Sequence, residues 1–421
     1  MIGRKMRLTV SALALAAGFG LVSEALATEG YFQHAYGLRH KALAGAGAAS
    51  IEDATGISIN PAGLVDVGNQ FNMGLSLFMP TRWYEATGAG FVTNGKHKSK
   101  KPVFPVPTLA YVRQIDSDSA FAVSIFGNGG MNTTYKAPGP FNGGKTGVDL
   151  MQMFVSAAYA RKLSDNFSIG IAPIFAIQRF KSYGLRNVCA SVSGNPGKCT
   201  NKGYSYSFGG GVRVGMTIKP TEWLSFGASY QTRMWMSKFK KYKGLFAEGG
   251  DFDIPANFQV GVAFQMTPEL KMMLDYRRIF YSDVKAIANS MNEGGRGGDS
   301  NGPGFGWRDT NTIKVGLEYQ ATNDLILRAG YSYTWPLMEK ESITFNILAP
   351  GVIRHQITGG ATYRVDANND IDFAFMVAPT GKRSGAIPAT FRGGNADIKM
   401  YQFEVSLGWT YNFGAGSTRA R

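Results

Sequence analysis

The stretch Tyr401-Gln402-Phe403-Glu404-Val405-Ser406-Leu407-Gly408-Trp409-Thr410-Tyr411-Asn412-Phe413 decides the fold. Its odd positions are aromatic or aliphatic, and its even positions are polar or glycine. Successive side chains of a β-strand point to opposite faces, so this period gives one apolar face and one mixed face. The pattern returns in Leu325, Leu327, Ala329, Tyr331, Tyr333 and Trp335, and again in Phe258, Val260, Val262, Phe264 and Met266. A strand that crosses lipid needs about 9–11 residues, and Tyr and Trp at strand ends match the girdles of the two membrane interfaces.

Working outward, the composition agrees. The 421 residues include 54 Gly, 13% aromatic and only 17% charged residues, and the mean hydropathy is −0.11. Beyond residue 27 no apolar run approaches the roughly 20 residues of a spanning helix, which excludes a helical membrane bundle. Apolar and aromatic residues are too plentiful for a disordered chain.

Fourteen candidate strands follow, centred near Leu75, Tyr111, Val123, Ser156, Ala172, Gly211, Gly227, Val260, Leu274, Val315, Ala329, Thr358, Phe373 and Ser406. Short turns at Gln114–Ser119, Lys162–Asn166, Lys219–Glu222, Thr267–Glu269, Ala321–Asp324 and Asp366–Asp370 alternate with seven long loops, 80–107, 129–149, 183–203, 237–252, 285–310, 336–351 and 380–399. Long loops outside and tight periplasmic turns inside mark an outer-membrane barrel. Closure satisfies every backbone group in lipid, which an open sheet does not. The expected fold is therefore all-β, a fourteen-stranded transmembrane antiparallel barrel over 69–413, with a tail at 414–421.

The N-terminus supports the location. Arg4, Lys5 and Arg7 precede an apolar run from Leu8 to Val22 and then Ala25-Leu26-Ala27, so residues 1–27 read as a signal peptide cleaved after Ala27. Loss of three cations and Glu24 takes the net charge from +15 to +13. The only cysteines, Cys189 and Cys199, are expected to form a disulfide closing a small surface loop. No metal cluster or cofactor motif is visible. The scattered cations argue against nucleic acid. The clusters Lys96, Lys98, Lys100, Lys101 and Lys238, Lys240, Lys241, Lys243 suit anionic lipid, lipopolysaccharide or ligand head groups instead.

Residues 28–68 do not follow the strand pattern. They are rich in small residues and end in Asn60-Pro61-Ala62-Gly63-Leu64. A fourteen-stranded lumen is wide enough to hold them as a hatch. Together with Gly30-Tyr31-Phe32, Tyr36-Gly37, Gly45-Ala46-Gly47, Asp53-Ala54, Asp253-Ile254-Pro255, Gly304-Phe305-Gly306-Trp307-Arg308-Asp309 and Met400-Tyr401-Gln402, the Asn60-Pro61-Ala62 element resembles the FadL/TodX family of outer-membrane transporters. The resemblance implies a hatch-closed barrel that takes up long-chain fatty acids or hydrocarbons. It also implies lateral exit into the membrane at a kinked third strand. At the C-terminus the chain departs from the usual barrel ending, since Phe413 is followed by eight further residues.

Candidate functional positions follow. Gly127-Asn128-Gly129-Gly130 interrupts the third strand and is the expected lateral opening. Phe239, Tyr242 and Phe246 stand at helical spacing among lysines, as an exposed groove for ligand capture would need. Strand parity turns Arg213, Arg233, Arg277, Lys314, Arg328 and Arg354 toward the lumen, beside Asp275, Glu318, Asp372 and Glu404. Height along the strands selects Arg233, Arg277, Lys314 and Arg354 for a carboxylate-holding pocket above the hatch. The four histidines, His34, His40, His97 and His355, lie in no nucleophile motif, so an enzyme is not expected. A hydrophilic-solute porin is the alternative, and the hatch is the feature that separates the two. The protein is expected to act as a monomer.

Overall fold

The computed structural model describes residues 28–414; the expected signal peptide at 1–27 and all but Gly414 of the tail lie outside the described residues. Sixteen strands follow one another: β1 (Gln70–Thr87), β2 (Gly95–Lys98), β3 (Phe104–Gln114), β4 (Ser119–Tyr135), β5 (Thr146–Ser164), β6 (Phe167–Tyr183), β7 (Ser205–Thr221), β8 (Leu224–Gln231), β9 (Trp235–Met236), β10 (Asn257–Gln265), β11 (Leu270–Ile279), β12 (Thr310–Gln320), β13 (Leu325–Thr334), β14 (His355–Arg364), β15 (Asn369–Ala386) and β16 (Asn395–Asn412). They make fourteen staves, because two are interrupted. β2 continues the β3 side along the outer half of β1, and β9 continues the β8 side along β7. Neighbours pair antiparallel, and β1 pairs with β16 from Gln70↔Asn412 to Thr87↔Asn395, so the barrel is closed.

The two-residue period sorts lipid from lumen as expected. Leu75, Val123, Ile171, Val214, Leu317 and Leu407 stand exposed on the outer face. Trp223, Tyr319, Tyr363 and Tyr411 ring the turn end, and Trp235, Trp335 and Tyr401 lie toward the loop end. Seven strands, β1, β4, β5, β6, β7, β15 and β16, have 17–19 residues and run well beyond the lipid span, so much of 80–107 and 380–399, expected as loop, is strand rising above the membrane. The alternation in those segments is carried by residues such as Glu85 and Lys382, too polar to register as membrane strand.

The lumen is occupied by residues 28–65, almost all buried. The segment holds a short helix, Leu38–Ala42, and two 3₁₀ turns, Ala54–Ser58 and Pro61–Asp66. Asn60 caps the second turn, its Oδ1 accepting from Ala62 N–H at 3.1 Å, while its Nδ2 donates to the carbonyls of Ala48 at 2.7 Å and Met216 at 3.0 Å. The wall makes room through missing side chains. A methyl group added at Gly215 would overlap Asn60, one at Gly227 the Ala48 carbonyl, and one at Gly170 the backbone of Pro61-Ala62. The small residues of 42–50 therefore meet a wall that is itself bare at the contact points.

Candidate functional site

Charged pairs hold the hatch. Arg39 donates to Asp372 and Asp370 at 2.9 Å each, and Lys41 to Glu404 at 2.6 Å and Ser76 at 2.9 Å. Lys271 pairs with Glu52 at 2.8 Å, and Asp275 accepts from the Gly47 and Ala48 amides. Glu29 is gripped from two sides, by Arg277 at 3.1 Å and by Lys314. All these groups except Lys271 and Glu52 are almost wholly buried, where removing one partner strands the other in a medium of low dielectric. Burial also keeps the His34 imidazole of the hatch neutral, with its pKa pushed down to about 3.

The wall is incomplete between β3 and β4. The β3–β4 ladder runs from Gln114↔Ala120 to Thr108↔Phe126 and stops. On the β3 side, Pro105 and Pro107 carry no N–H with which to continue it. On the β4 side, Asn128 bulges out of the β4–β5 register between Gly127↔Met153 and Gly129↔Gln152. The two sides meet again where Lys100 N–H reaches Thr134 O at 2.8 Å. From inside, the hatch fills the gap as a short strand: Gly130 N–H donates to Tyr31 O at 3.0 Å and Gln33 N–H to Asn128 O at 3.1 Å. Gln33 Nε2 donates to Gly127 O and Tyr36 Oη to Asn128 Oδ1, both at 2.7 Å. A side chain at Gly129 would collide with the Tyr31 carbonyl, so glycine is required for this approach. Gly127, Asn128, Gly129 and Gly130 thus lie together at a break in the wall. A cavity of about 20 Å³ adjoins it, lined by Gly30, Arg82, Gly130, Met131, Trp307 and Met400.

Above the hatch an aromatic chamber surrounds the N-terminal strand. The Tyr31 ring lies 5.3 Å from Phe32, 5.4 Å from Tyr281, and 6.0 Å from both Phe252 and Trp307. The loop 335–354 roofs it, with Asn346 Oδ1 accepting from Trp307 Nε1 at 2.7 Å. Toward the outside a second cavity, apolar and of about 50 Å³, opens among the third to sixth loops, lined by Phe180, Leu185, Cys199, Phe246, Phe305 and Leu348 among others. Cys189 and Cys199 are joined by a disulfide and hold that third loop.

The residues singled out for ligand contact fall into different places. Phe246 lines the outer cavity, but Phe239 and Tyr242 are fully buried against Phe180 at 5.7 and 4.9 Å. The expected amphipathic helix is a single turn, Lys240–Tyr242, so its aromatic residues fold inward as core and present no open groove. Arg277 and Lys314 do face the lumen, yet their carboxylate partner is Glu29 of the hatch. Arg233 lies in the bulge between β8 and β9 and pairs with loop carboxylates, Asp253 at 2.7 Å and Asp251 at 3.7 Å. Burial and the neighbouring Asp253 push Asp251 up to about 6. Arg354 precedes β14, so strand parity does not govern it; its guanidinium lies 5.1 Å from the Tyr333 ring. Tyr281, Phe252 and Trp307 were not anticipated as chamber residues. Two of them, Phe252 and Trp307, sit in or beside the segments that carried the family resemblance.

A profile of the family described as outer membrane protein transport protein (OMPP1/FadL/TodX) matches residues 8–385. The chain belongs to this family. Curated relatives include a long-chain fatty acid transport protein of Escherichia coli, 25% identical over 80% of this chain and 83% of its own length. Another is a 47 kDa outer membrane protein of Pasteurella multocida, 26% identical over 66% and 71%. Among solved structures, the Pseudomonas putida toluene transporter TodX superposes with a TM-score of 0.70 at 19% identity, covering 91% of this chain and 99% of that one. A Pseudomonas aeruginosa FadL homologue gives 0.70 at 16% identity, over 91% and 100%. At these identities the structural likeness is one of fold. The protein is an outer-membrane barrel of a family whose members are transporters of hydrophobic compounds.

Proposed function

We propose that the protein takes up hydrophobic compounds passively, in three steps. Ligand enters the cavity among the third to sixth loops, passes to the aromatic chamber around Tyr31, and leaves sideways into the membrane through the gap at Gly127–Gly130. The observation that carries this reading is the gap itself: an interrupted wall facing lipid, stoppered by a hatch strand that also forms the wall of an apolar chamber. Apolar surface gains about 25 cal/mol per Å² on leaving water, which suffices to draw such a ligand along the route without energy input. The fatty acid and toluene named for its relatives are the ligand classes to try. Residues 1–27 serve as the export signal, 28–68 as hatch, and the outer lysines contact lipopolysaccharide phosphates, with the barrel working as a monomer.

A hydrophilic-solute porin needs an open lumen, and residues 28–65 fill this one. The test is reconstitution into liposomes with entry of a labelled fatty acid, labelled toluene and labelled sucrose measured side by side. Entry of either apolar solute, with sucrose excluded, is expected. Sucrose entering as fast as they do would establish the porin.

A further inference from the structure

One sector of the outer rim carries cations alone. Residues 95–103, 136–148, 179–204 and 237–247 hold 15 Lys and Arg and no Asp or Glu, more than the net charge of +13 expected from residue 28 onward. Hydrogen bonds gather these segments into one surface. Lys100 N–H donates to Thr134 O at 2.8 Å, Thr146 Oγ1 to Gly184 O at 3.3 Å, Gly244 N–H to Lys198 O at 2.9 Å, and Lys241 Nζ to Tyr204 O at 2.7 Å. Like charges gathered on one folded surface repel one another, and anions from outside the chain relieve that repulsion.

The base of this sector is part of the wall. On the outward face of β6, Phe167, Ile169, Ile171, Pro173, Phe175 and Ile177 are followed by Arg179 and Lys181. The apolar run is as long as the roughly 9–11 residues that cross lipid, so the two cations stand at the level of the outer head groups. Both lie over the Tyr204 ring, Arg179 at 4.7 Å and Lys181 at 4.1 Å. Tyr204 Oη donates to Asp149 Oδ2 at 2.8 Å, and this buried carboxylate also meets Lys181 at 3.6 Å and Lys101 at 3.9 Å. Three cations therefore surround one carboxylate. Arg179 has no carboxylate partner among the described residues, and its Nε is buried without a hydrogen-bond acceptor. Arg179 is in register with Met151 and Met151 with Gly130, so the cluster is level with the upper end of the wall gap.

Because Arg179 and Lys181 continue the lipid-facing stripe, a compound inside the barrel does not meet them, whereas an outer-leaflet head group does. We propose that Lys101, Arg179 and Lys181 seat a phosphate of one lipopolysaccharide molecule, whose acyl chains lie along the apolar stripe of β6 below. This rests on the lipopolysaccharide contact proposed for the outer lysines and gives it an anchor in the wall itself. Arg179 offers a planar fork of N–H donors to the phosphate oxygens, and Lys101 and Lys181 add point charges. The remaining lysines of the sector are placed to meet further phosphates of the same molecule. The seated lipid stands beside the wall gap and forms one flank of the passage through which a compound leaves.

The test measures binding of bisphosphorylated lipid A, and of the same lipid stripped of phosphate, to the full mature barrel in a non-ionic detergent. The wild type is expected to hold the phosphorylated form at least about tenfold tighter, and added salt should narrow the difference. Arg179→Gln with Lys181→Gln should weaken the phosphorylated form by about tenfold and leave the stripped form unchanged. A control removes the same charge elsewhere on the rim: Arg278→Gln with Arg308→Gln, whose cations already pair with Asp309 and Glu339, should bind as the wild type does. Heat-modifiable gel mobility verifies that both double variants are folded. An Arg179/Lys181 variant that binds phosphorylated lipid A normally would overturn the seat and leave the contact to the loop lysines. A control weakened equally would reduce the effect to overall charge, and phosphatidylglycerol binding as tightly would reduce it to a general anionic surface. Displacement of the lipid by inorganic phosphate at similar concentration would also overturn the proposal. Equal affinity of the wild type for both forms of lipid A, or for neither, would overturn the lipopolysaccharide contact altogether.

Discussion

The carbonyl of Tyr31 accepts a hydrogen bond from the amide of Gly130 at 3.0 Å, so the first strand of the hatch is part of the barrel wall. The two can be separated only by letting the wall open. The separation of plug and port, which a free-standing plug would leave variable, is fixed here by that bond.

That contact makes Gly129 a sensitive position. Gly129→Val would drive a branched side chain into the Tyr31 carbonyl, while the β4–β5 ladder on the other edge stays intact. We expect normal barrel assembly, judged by heat-modifiable gel mobility, with uptake of hydrophobic ligand slowed by about tenfold or more because the branched side chain occupies the port itself, a change that corresponds to about 1.4 kcal/mol. Uptake at the wild-type rate would place the exit elsewhere.

Glu29→Gln leaves Arg277 and Lys314 without their anion. Breaking a buried pair costs roughly 3–5 kcal/mol, and with the proposed export signal removed the strand bearing Glu29 becomes a chain end that can relax by leaving. Amide exchange at Gln33 and Gly130 should rise by orders of magnitude, with resting ion leak through bilayers increased. Protection unchanged from wild type would show that the aromatic packing of Tyr31 alone holds the strand.

Removal of residues 28–68 takes away the whole lumen filling. The expected product is a barrel of wide, persistent conductance in planar bilayers. A conductance equal to that of the intact protein would mean that some other segment blocks the lumen.

Cys189→Ser with Cys199→Ser frees the loop that borders the outer cavity. Closing a loop of this length is worth about 2–3 kcal/mol in chain entropy, concentrated in residues 183–203 because the barrel ladder does not depend on it. The barrel should melt as before, while protease cuts that loop sooner and half-saturation for uptake moves to higher ligand concentration. Equal protease resistance would assign the loop's order to its other contacts.

Asp251 supplies a pH signature. Its pKa is raised to about 6 from an ordinary 3.8, chiefly by burial and then by Asp253. A raised acid favours the folded loop fully below the ordinary value, and that contribution is lost as pH rises through about 6. The fourth loop should therefore be more protease-resistant at pH near 4 than near 8. Asp251→Asn should remove that dependence, and a dependence that survives the substitution would place the titrating group elsewhere.

The sequence shows the barrel clearly because lipid imposes a simple rule on every second residue, as along Tyr401–Phe413. The same rule shows that Arg277 and Lys314 point inward, but parity gives direction and not company. Glu29, their partner, lies 248 and 285 residues away along the chain in a segment with no period at all. The rule fails at strand ends, where Arg354 turns to Tyr333, and in loops, where Phe239 and Tyr242 fold inward because a single helical turn has no exposed face to keep. The break at Gly127–Gly130 is legible because glycine leaves a mark; the prolines opposite it, Pro105 and Pro107, mark it equally well.

Lys41 joins Glu404 of β16 and Ser76 of β1, and so lies across the line where the first and last strands meet. A lumen packed from wall to wall offers no passage for forty residues to thread in afterwards. Biogenesis must then be ordered, with the hatch serving as a mandrel around which the sheet is wrapped and the final edge zipped. We expect crosslinks between Lys41 and Glu404 to form in assembly intermediates before the two terminal strands are paired, and their appearance only after closure would reverse that order.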